Sequence, residues 1–209
     1  MRHRLVVAFS MLGLVAESAA AAQDRMPPIP AGKMTEARKK AAAEYKQLRG
    51  QNLTGPPWSV MLCVPDLVVP SLELRLHNRR NSLFNPKLTE HTILIAARHW
   101  TNNYEWNAYS NLAKNAGLGA DIMAAVADGR RPERMSEDEA IVCDFCDELL
   151  HNQSVPDPTY ARMVARFGEA GAVEAAGLEG CYTFLSMIMN TARSPMPAGA
   201  KPQLAPFPK

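Results

Sequence analysis

Apolar residues recur along this chain at three- and four-residue intervals, and no stretch sustains the strict alternation of a half-buried strand. The predicted elements are therefore helices. Thr35 is placed to cap a first helix through Ala37, Ala41 to Ala43 and Tyr45, stopped by Gly50. Its charges Glu36, Lys40 and Glu44 stand at helical spacing and mark a solvated face. Gly55-Pro56-Pro57 breaks the chain, and Leu67 to Arg79 reads as the next helix, with Pro70 in its first turn or at a kink. Asn85-Pro86 is the following boundary. Lys87 or Thr89 opens an apolar helix through Ile93 to Ala97, and a further helix runs from Tyr104 to Asn115, ended by Gly117. Asp121 to Ala127 makes a short helix before Gly129. Ser136-Glu137-Asp138-Glu139 is an S-x-x-E capping box, and behind it Ile141, Val142, Phe145, Cys146 and Leu149 share one side of a helix. Asp157-Pro158 starts a helix that Gly168 stops, and Ala172 to Ala192 forms the last, long one. The expectation is an all-α domain of about seven or eight helices, with no internal repeat.

Both ends read differently from the middle. Arg2, His3 and Arg4 precede a short apolar run, Leu5 to Ala16, and small residues from Ser18 to Ala22 suit cleavage after Ala21 or Ala22. That is the three-part pattern of a secretory signal peptide, too short in its apolar part for a membrane span. The expected organisation is a signal peptide over 1–22, a proline-rich leader over 23–33, one helical domain over 34–194 and a proline-rich arm over 195–209. The arm is expected on a surface or on a neighbouring subunit. The mature protein is expected in the periplasm or outside the cell, with no membrane association once the signal is removed.

Composition narrows the function classes. The 209 residues carry 23 basic and 21 acidic side chains, a formal net charge of +2, so no long-range field draws nucleic acid to the chain. Export permits disulfides, but Cys63, Cys143, Cys146 and Cys181 are sparse for this length. Cys143 and Cys146 spell C-x-x-C. They fall about two turns into their helix, away from the N-terminal position where the helix dipole lowers a thiol pKa, so they read as structural cysteines. The four supply no clear zinc ligand set; neither metal nor cofactor is expected.

The densest run of reactive groups is Glu90-His91 followed by Arg98 to Tyr109. If the helix continues, Arg98, Glu105 and Tyr109 share one face; if it breaks near Asn102, Glu105 and Tyr109 remain an i, i+4 pair. A carboxylate beside a phenol, with a guanidinium near, can bind a carboxylated substrate and move protons. Each group also has a structural reading. Arg98 and Glu105 can form an ion pair, Trp100, Trp106 and Tyr104 can be core or interface aromatics, and His91 and His99 can be packed or surface histidines.

Five segments carry a resemblance to a known family: Leu88-Thr89-Glu90-His91, Tyr104-Glu105-Trp106, Ala113-x-x-Ala116-Gly117-Leu118, Phe167-Gly168-Glu169-x-Gly171 and Met189 to Arg193. Over roughly residues 60 to 195 the chain resembles the carboxymuconolactone decarboxylase family, which also holds the alkylhydroperoxidase D type of peroxidase. The resemblance implies a helical homo-oligomer, a trimer or hexamer, with sites near subunit contacts. The peroxidase branch has C-x-x-C, a histidine four residues later and a glutamate fifteen positions before the second cysteine. Here Glu90 matches the glutamate, whereas Asn102, Glu105 and Tyr109 stand at the cysteine and histidine positions. Without a thiol there, peroxide reduction at this site lacks its nucleophile.

The decarboxylase branch has glutamate where Glu105 stands and histidine where Tyr109 stands. On that resemblance Glu90, Glu105 and Tyr109 are the candidate catalytic residues, and Arg98, Trp106 and Asn102 the candidate substrate-binding ones. The expected reaction is acid–base, lyase-type chemistry on a small carboxylated lactone or related cyclic acid. An exported binding or assembly protein that kept the scaffold without catalysis is the alternative. A thiol peroxidase built on Cys143 and Cys146 is a third.

Overall fold

A computed structural model describes residues 24–206; the expected signal peptide lies outside them. Among the described residues there are eight helices and no strand. Helix α1 spans Glu36–Arg49, α2 Trp58–Met61, α3 Val68–Arg80, α4 Pro86–His99, α5 Asn103–Asn115, α6 Ala120–Ala127, α7 Glu137–Asn152 and α8 Asp157–Ala192. Short 3-10 turns at Ala31–Lys33 and Pro65–Leu67 precede α1 and α3. None of these helices is long and apolar enough to cross a membrane.

The local chemistry that marks the helix ends in the sequence operates in the structure. The Thr35 side chain accepts from the Arg38 amide, and Gly50 closes α1 at φ 74°, a left-handed position that costs a Cβ-free residue little. Asn85 caps α4 through the Leu88 amide, with Pro86 at the first helical position. At α7 the capping box is reciprocal: Ser136 Oγ accepts from the Glu139 amide, and the Glu139 carboxylate accepts from the Ser136 amide at 2.7 Å. Lys87 on α4 also reaches that carboxylate, at 2.9 Å. Ser136→Ala is expected to cost about 1 kcal/mol in chemical denaturation. An unchanged midpoint would show that Lys87 alone holds Glu139.

Two boundaries differ from the sequence reading. The segment after Pro57 forms α2, whose Trp58, Val60 and Met61 are buried although its four residues are too short to show a period. Asp157 lies inside α8 rather than capping it. The two predicted last helices meet end to end across a kink at Gly168 (φ 72°, ψ 175°), a backbone conformation that only glycine adopts without strain.

Helix α4 is the centre of the packing. It lies against α5, α6, α7 and α8, and every residue from Leu88 to Arg98 is buried. A helix buried on all sides must be apolar almost throughout, which is why Ile93-Leu94-Ile95-Ala96-Ala97 is an unbroken apolar run rather than a stripe. The same burial surrounds the polar residues that α4 carries, among them Glu90, His91 and Thr92. His91 has neither ring nitrogen hydrogen-bonded, and burial pushes its pKa down to about 4, so it sits in the core as a neutral ring.

Candidate functional site

The stretch from Glu90 to Tyr109 is not one helix. Helix α4 ends at His99, Thr101 turns with φ 46°, and Asn102 starts α5 by accepting the Glu105 amide at 2.9 Å. The turn is held against α8. Trp100 Nε1 donates to Thr183 Oγ1 at 3.1 Å, Asn190 Nδ2 donates to the Trp100 carbonyl at 2.8 Å, and Asn102 Nδ2 reaches the Ser186 carbonyl and Asn190 Oδ1. The break rotates Arg98 away from the α5 residues that follow it. Arg98 lies instead in a cleft of about 340 Å³ with His99, Cys143, Asp144, Asp147 and His151, and its Nη1 donates to the Ala205 carbonyl at 2.6 Å.

Glu90, Glu105 and Tyr109 are all buried, and two arginines of α3 link them into one polar cluster with α4, α5 and α8. Its guanidinium groups come from α3. Arg75 Nη2 donates to the Tyr109 hydroxyl at 2.8 Å, and Tyr182 Oη on α8 donates to the same oxygen at 3.2 Å. The two tyrosine rings pack edge to face with centroids 5.2 Å apart. Arg79 pairs with the Glu90 carboxylate, and its guanidinium carbon lies 5.5 Å from the centre of the Tyr109 ring. Glu105 is 4% exposed, and Arg75 is the cation that bears on it.

Burial dominates the electrostatics here. It lifts the Glu105 carboxyl to about 7, against the pull of Arg75. Glu90 is also lifted above the ordinary carboxylate range by burial, with Arg79 pulling it down. Burial and the neighbouring Glu105 charge push the Tyr109 hydroxyl up, so it stays a protonated donor. Burial tends to lower the Arg75 pKa, but Tyr109, Tyr182 and Glu105 outweigh it and keep the guanidinium charged. The cluster thus holds fixed cations beside one carboxyl that titrates near neutrality, a combination that suits proton transfer.

Several polar atoms in the cluster are left without hydrogen-bond partners: Nη1 of Arg75, Nδ2 of Asn78 and Oε2 of Glu90. The Arg79–Glu90 pair forms part of the wall of a cleft of about 310 Å³ at the turn between α3 and α4, shared with Asn78, Ser82, Phe84 and Thr89. In comparisons with known proteins, no family model and no curated protein matches the chain.

The remaining candidates have structural surroundings. Trp106 is 3% exposed and belongs to the hydrophobic core, and Asn102 is the cap of α5. Arg75, Arg79 and Tyr182 were missed from the sequence. A signal for the first two exists, since Arg75 and Arg79 stand four apart on α3, but nothing in the sequence distinguishes them from a solvated basic face. Tyr182 is spaced as a core position beside Leu178 and Leu185 and reads as packing.

The cysteines are all unpaired, with Cys63 exposed and the other three buried. Burial pushes the Cys143 thiol up to about 12 and raises Cys146 as well, so neither is poised as a thiolate. Cys146 Sγ lies 3.9 Å from Thr92 Oγ1, next to Glu179, whose carboxyl is pushed well above the usual carboxylate range by burial. No group of three or more metal-ligating side chains comes together among the described residues.

Proposed function

We propose that the protein carries out acid–base, lyase-type chemistry on a small carboxylated lactone or related cyclic acid, as an exported member of the carboxymuconolactone decarboxylase family. The observation that carries this reading is Glu105: a buried carboxyl, titrating near 7, beside Arg75 and a hydrogen-bonded tyrosine pair. The unpartnered donors on Arg75 and Asn78 suit a substrate carboxylate or carbonyl oxygen, which would complete their hydrogen bonding. In this reading Arg75 and Arg79 do the anion binding that the sequence suggested for Arg98. Glu90 holds Arg79 in place.

The chemistry balances with these groups. The bond between the ring carbon and the substrate carboxylate breaks heterolytically, and carbon dioxide leaves. The electron pair passes to the conjugated carbonyl as an enolate, whose oxygen takes hydrogen bonds from Tyr109 and Arg75. Protonated Glu105 then gives its proton to the ring carbon and regains one from solvent. Tyrosine at position 109, where the resembled family has histidine, serves as an oxyanion donor rather than as a base.

A second reading has one observation in its favour. The Tyr109 hydroxyl is already engaged by Arg75 and Tyr182, and Tyr109 and Glu105 have almost no exposure. A closed cluster of this kind fits a binding or assembly protein that kept the scaffold. One experiment separates the two. Purified protein is assayed for carbon dioxide release from a panel of carboxylated lactones, with hydroperoxides in parallel, and for carboxylate binding by calorimetry. Lyase chemistry predicts turnover that drops about 100-fold or more in Glu105→Gln. Binding without turnover supports the scaffold reading, and turnover unaffected by Glu105→Gln removes Glu105 from the chemistry.

A further inference from the structure

The arm that follows α8 is exposed along nearly its whole described length, yet Leu204 within it is 3% exposed and joins the hydrophobic core. Its neighbours Gln203 and Ala205 are exposed. The backbone on either side of this one buried side chain is held by side chains of the α4–α5 turn. Asn103 Oδ1 accepts from the Gln203 amide at 2.7 Å and from the Leu204 amide at 2.8 Å, and Asn103 Nδ2 donates to the Leu204 carbonyl at 3.2 Å. Arg98 Nη1 donates to the next carbonyl, that of Ala205. An amide side chain that both accepts from and donates to one residue offers the pairing that a neighbouring strand would. One apolar anchor read in a pocket and a backbone read by polar groups is the chemistry of peptide recognition.

The way the arm reaches the turn supports a docked ligand rather than a continuous piece of core. Between Arg193, where α8 ends, and Gln203 the chain passes through Pro195, Pro197 and Pro202. It makes a turn closed by the Ala200 amide on the Pro197 carbonyl, with Gly199 at φ 79°. No residue of this connecting stretch is buried. Proline-restricted segments lose little freedom on docking, and a connection this short holds its ligand at an effective concentration on the order of millimolar.

We propose that the α4–α5 turn is a recognition site for an extended peptide with a leucine anchor, and that the chain's own arm, Gln203–Ala205, is its resident ligand. The site is separable from the arm: the same segment presented by another chain fits it, the arm of a second copy being the nearest example. Because Asn103 lies next to Asn102, which caps the helix carrying Glu105, docking also braces the start of α5. Arg98, expected from the sequence to hold a small substrate, thus contacts the arm instead.

The test uses the full-length protein and a synthetic peptide of residues 200–206. In wild-type protein, hydrogen exchange at the Gln203 and Leu204 amides is expected to be slowed about 100-fold or more relative to Lys201. Leu204→Asp should abolish that protection while leaving α4 and α8 protected. The peptide should bind this undocked variant with a Kd on the order of 10 μM, the value that 100-fold protection and a millimolar effective concentration imply together, and a peptide carrying Asp in place of the leucine should not bind. Should Leu204→Asp fail to fold, wild-type protein answers instead, since excess peptide must accelerate exchange at its own Gln203 and Leu204 amides. Absence of slowed exchange in wild-type protein overturns the proposal. So does a peptide that neither binds the undocked variant nor displaces the resident arm, or one that binds equally well without its leucine.

Discussion

Between about pH 4 and pH 8, ionisation of Glu105 is expected to cost the folded protein about 3 kcal/mol of stability. Its carboxyl titrates near 7 when folded and near its ordinary 4.5 when unfolded, and each pKa unit corresponds to ~1.36 kcal/mol. Below 4.5 the group is protonated in both states and contributes no penalty. As the pH rises from there, the unfolded chain ionises first and gains an advantage that grows until the folded carboxyl also ionises near 7. Glu105→Gln removes the titration. The variant should match wild type near pH 4 and exceed it by about 3 kcal/mol near pH 8, as read from urea denaturation at the two pH values. A difference that does not change with pH would show that Glu105 is not the group titrating. If the protonated carboxyl delivers the proton to carbon, wild-type turnover should also fall with a midpoint near pH 7.

The second large effect is expected at the Arg79–Glu90 pair. Glu90 is 3% exposed, and its Oε2 has no other hydrogen-bond partner, so Arg79 is the main compensation for its charge. Arg79→Met should destabilise the protein by about 3 kcal/mol at neutral pH, because it strands a buried carboxylate. Adding Glu90→Gln should recover most of that loss, since the double variant leaves no charge unpaired. The single variant should also improve as the pH falls, because a stranded Glu90 is relieved by taking up a proton. Thermal and chemical denaturation of the two single variants and the double form the cycle. If Arg79→Met costs no more than an exposed substitution, the pair is a surface contact and does not anchor the cluster.

Both predictions turn on groups whose importance could be read from the chain only in part. Glu90, Glu105 and Tyr109 were visible because the stretch from Glu90 to Tyr109 holds the densest run of reactive groups in the chain, and because i, i+4 spacing places Glu105 and Tyr109 together whatever the tertiary structure does. Arg75 and Arg79 were not, since a pair of arginines on one helix face has the same pattern whether it meets water or a buried carboxylate. Arg98 shows the converse. Its alignment with Glu105 and Tyr109 depended on an unbroken helix, and one residue at Thr101 with positive φ redirects it.

The helical class, most helix ends and the capping box at Ser136 were all legible in the chain before any folding. These depend on contacts within a few residues, where side-chain chemistry and backbone geometry are local. The stretch that holds the reactive carboxylates was legible too, because Glu90 interrupts an apolar helix and Glu105 falls in a dense run of reactive groups. Folding alone sets which cations face those carboxylates, bonds Tyr109 to Tyr182 from the far end of the chain, and returns the arm to seat Leu204 against the α4–α5 turn. Those pairings join residues from 11 to 107 positions apart in the chain. Their free energy comes from burial and desolvation, which depend on everything packed around them and leave no periodic trace along the chain.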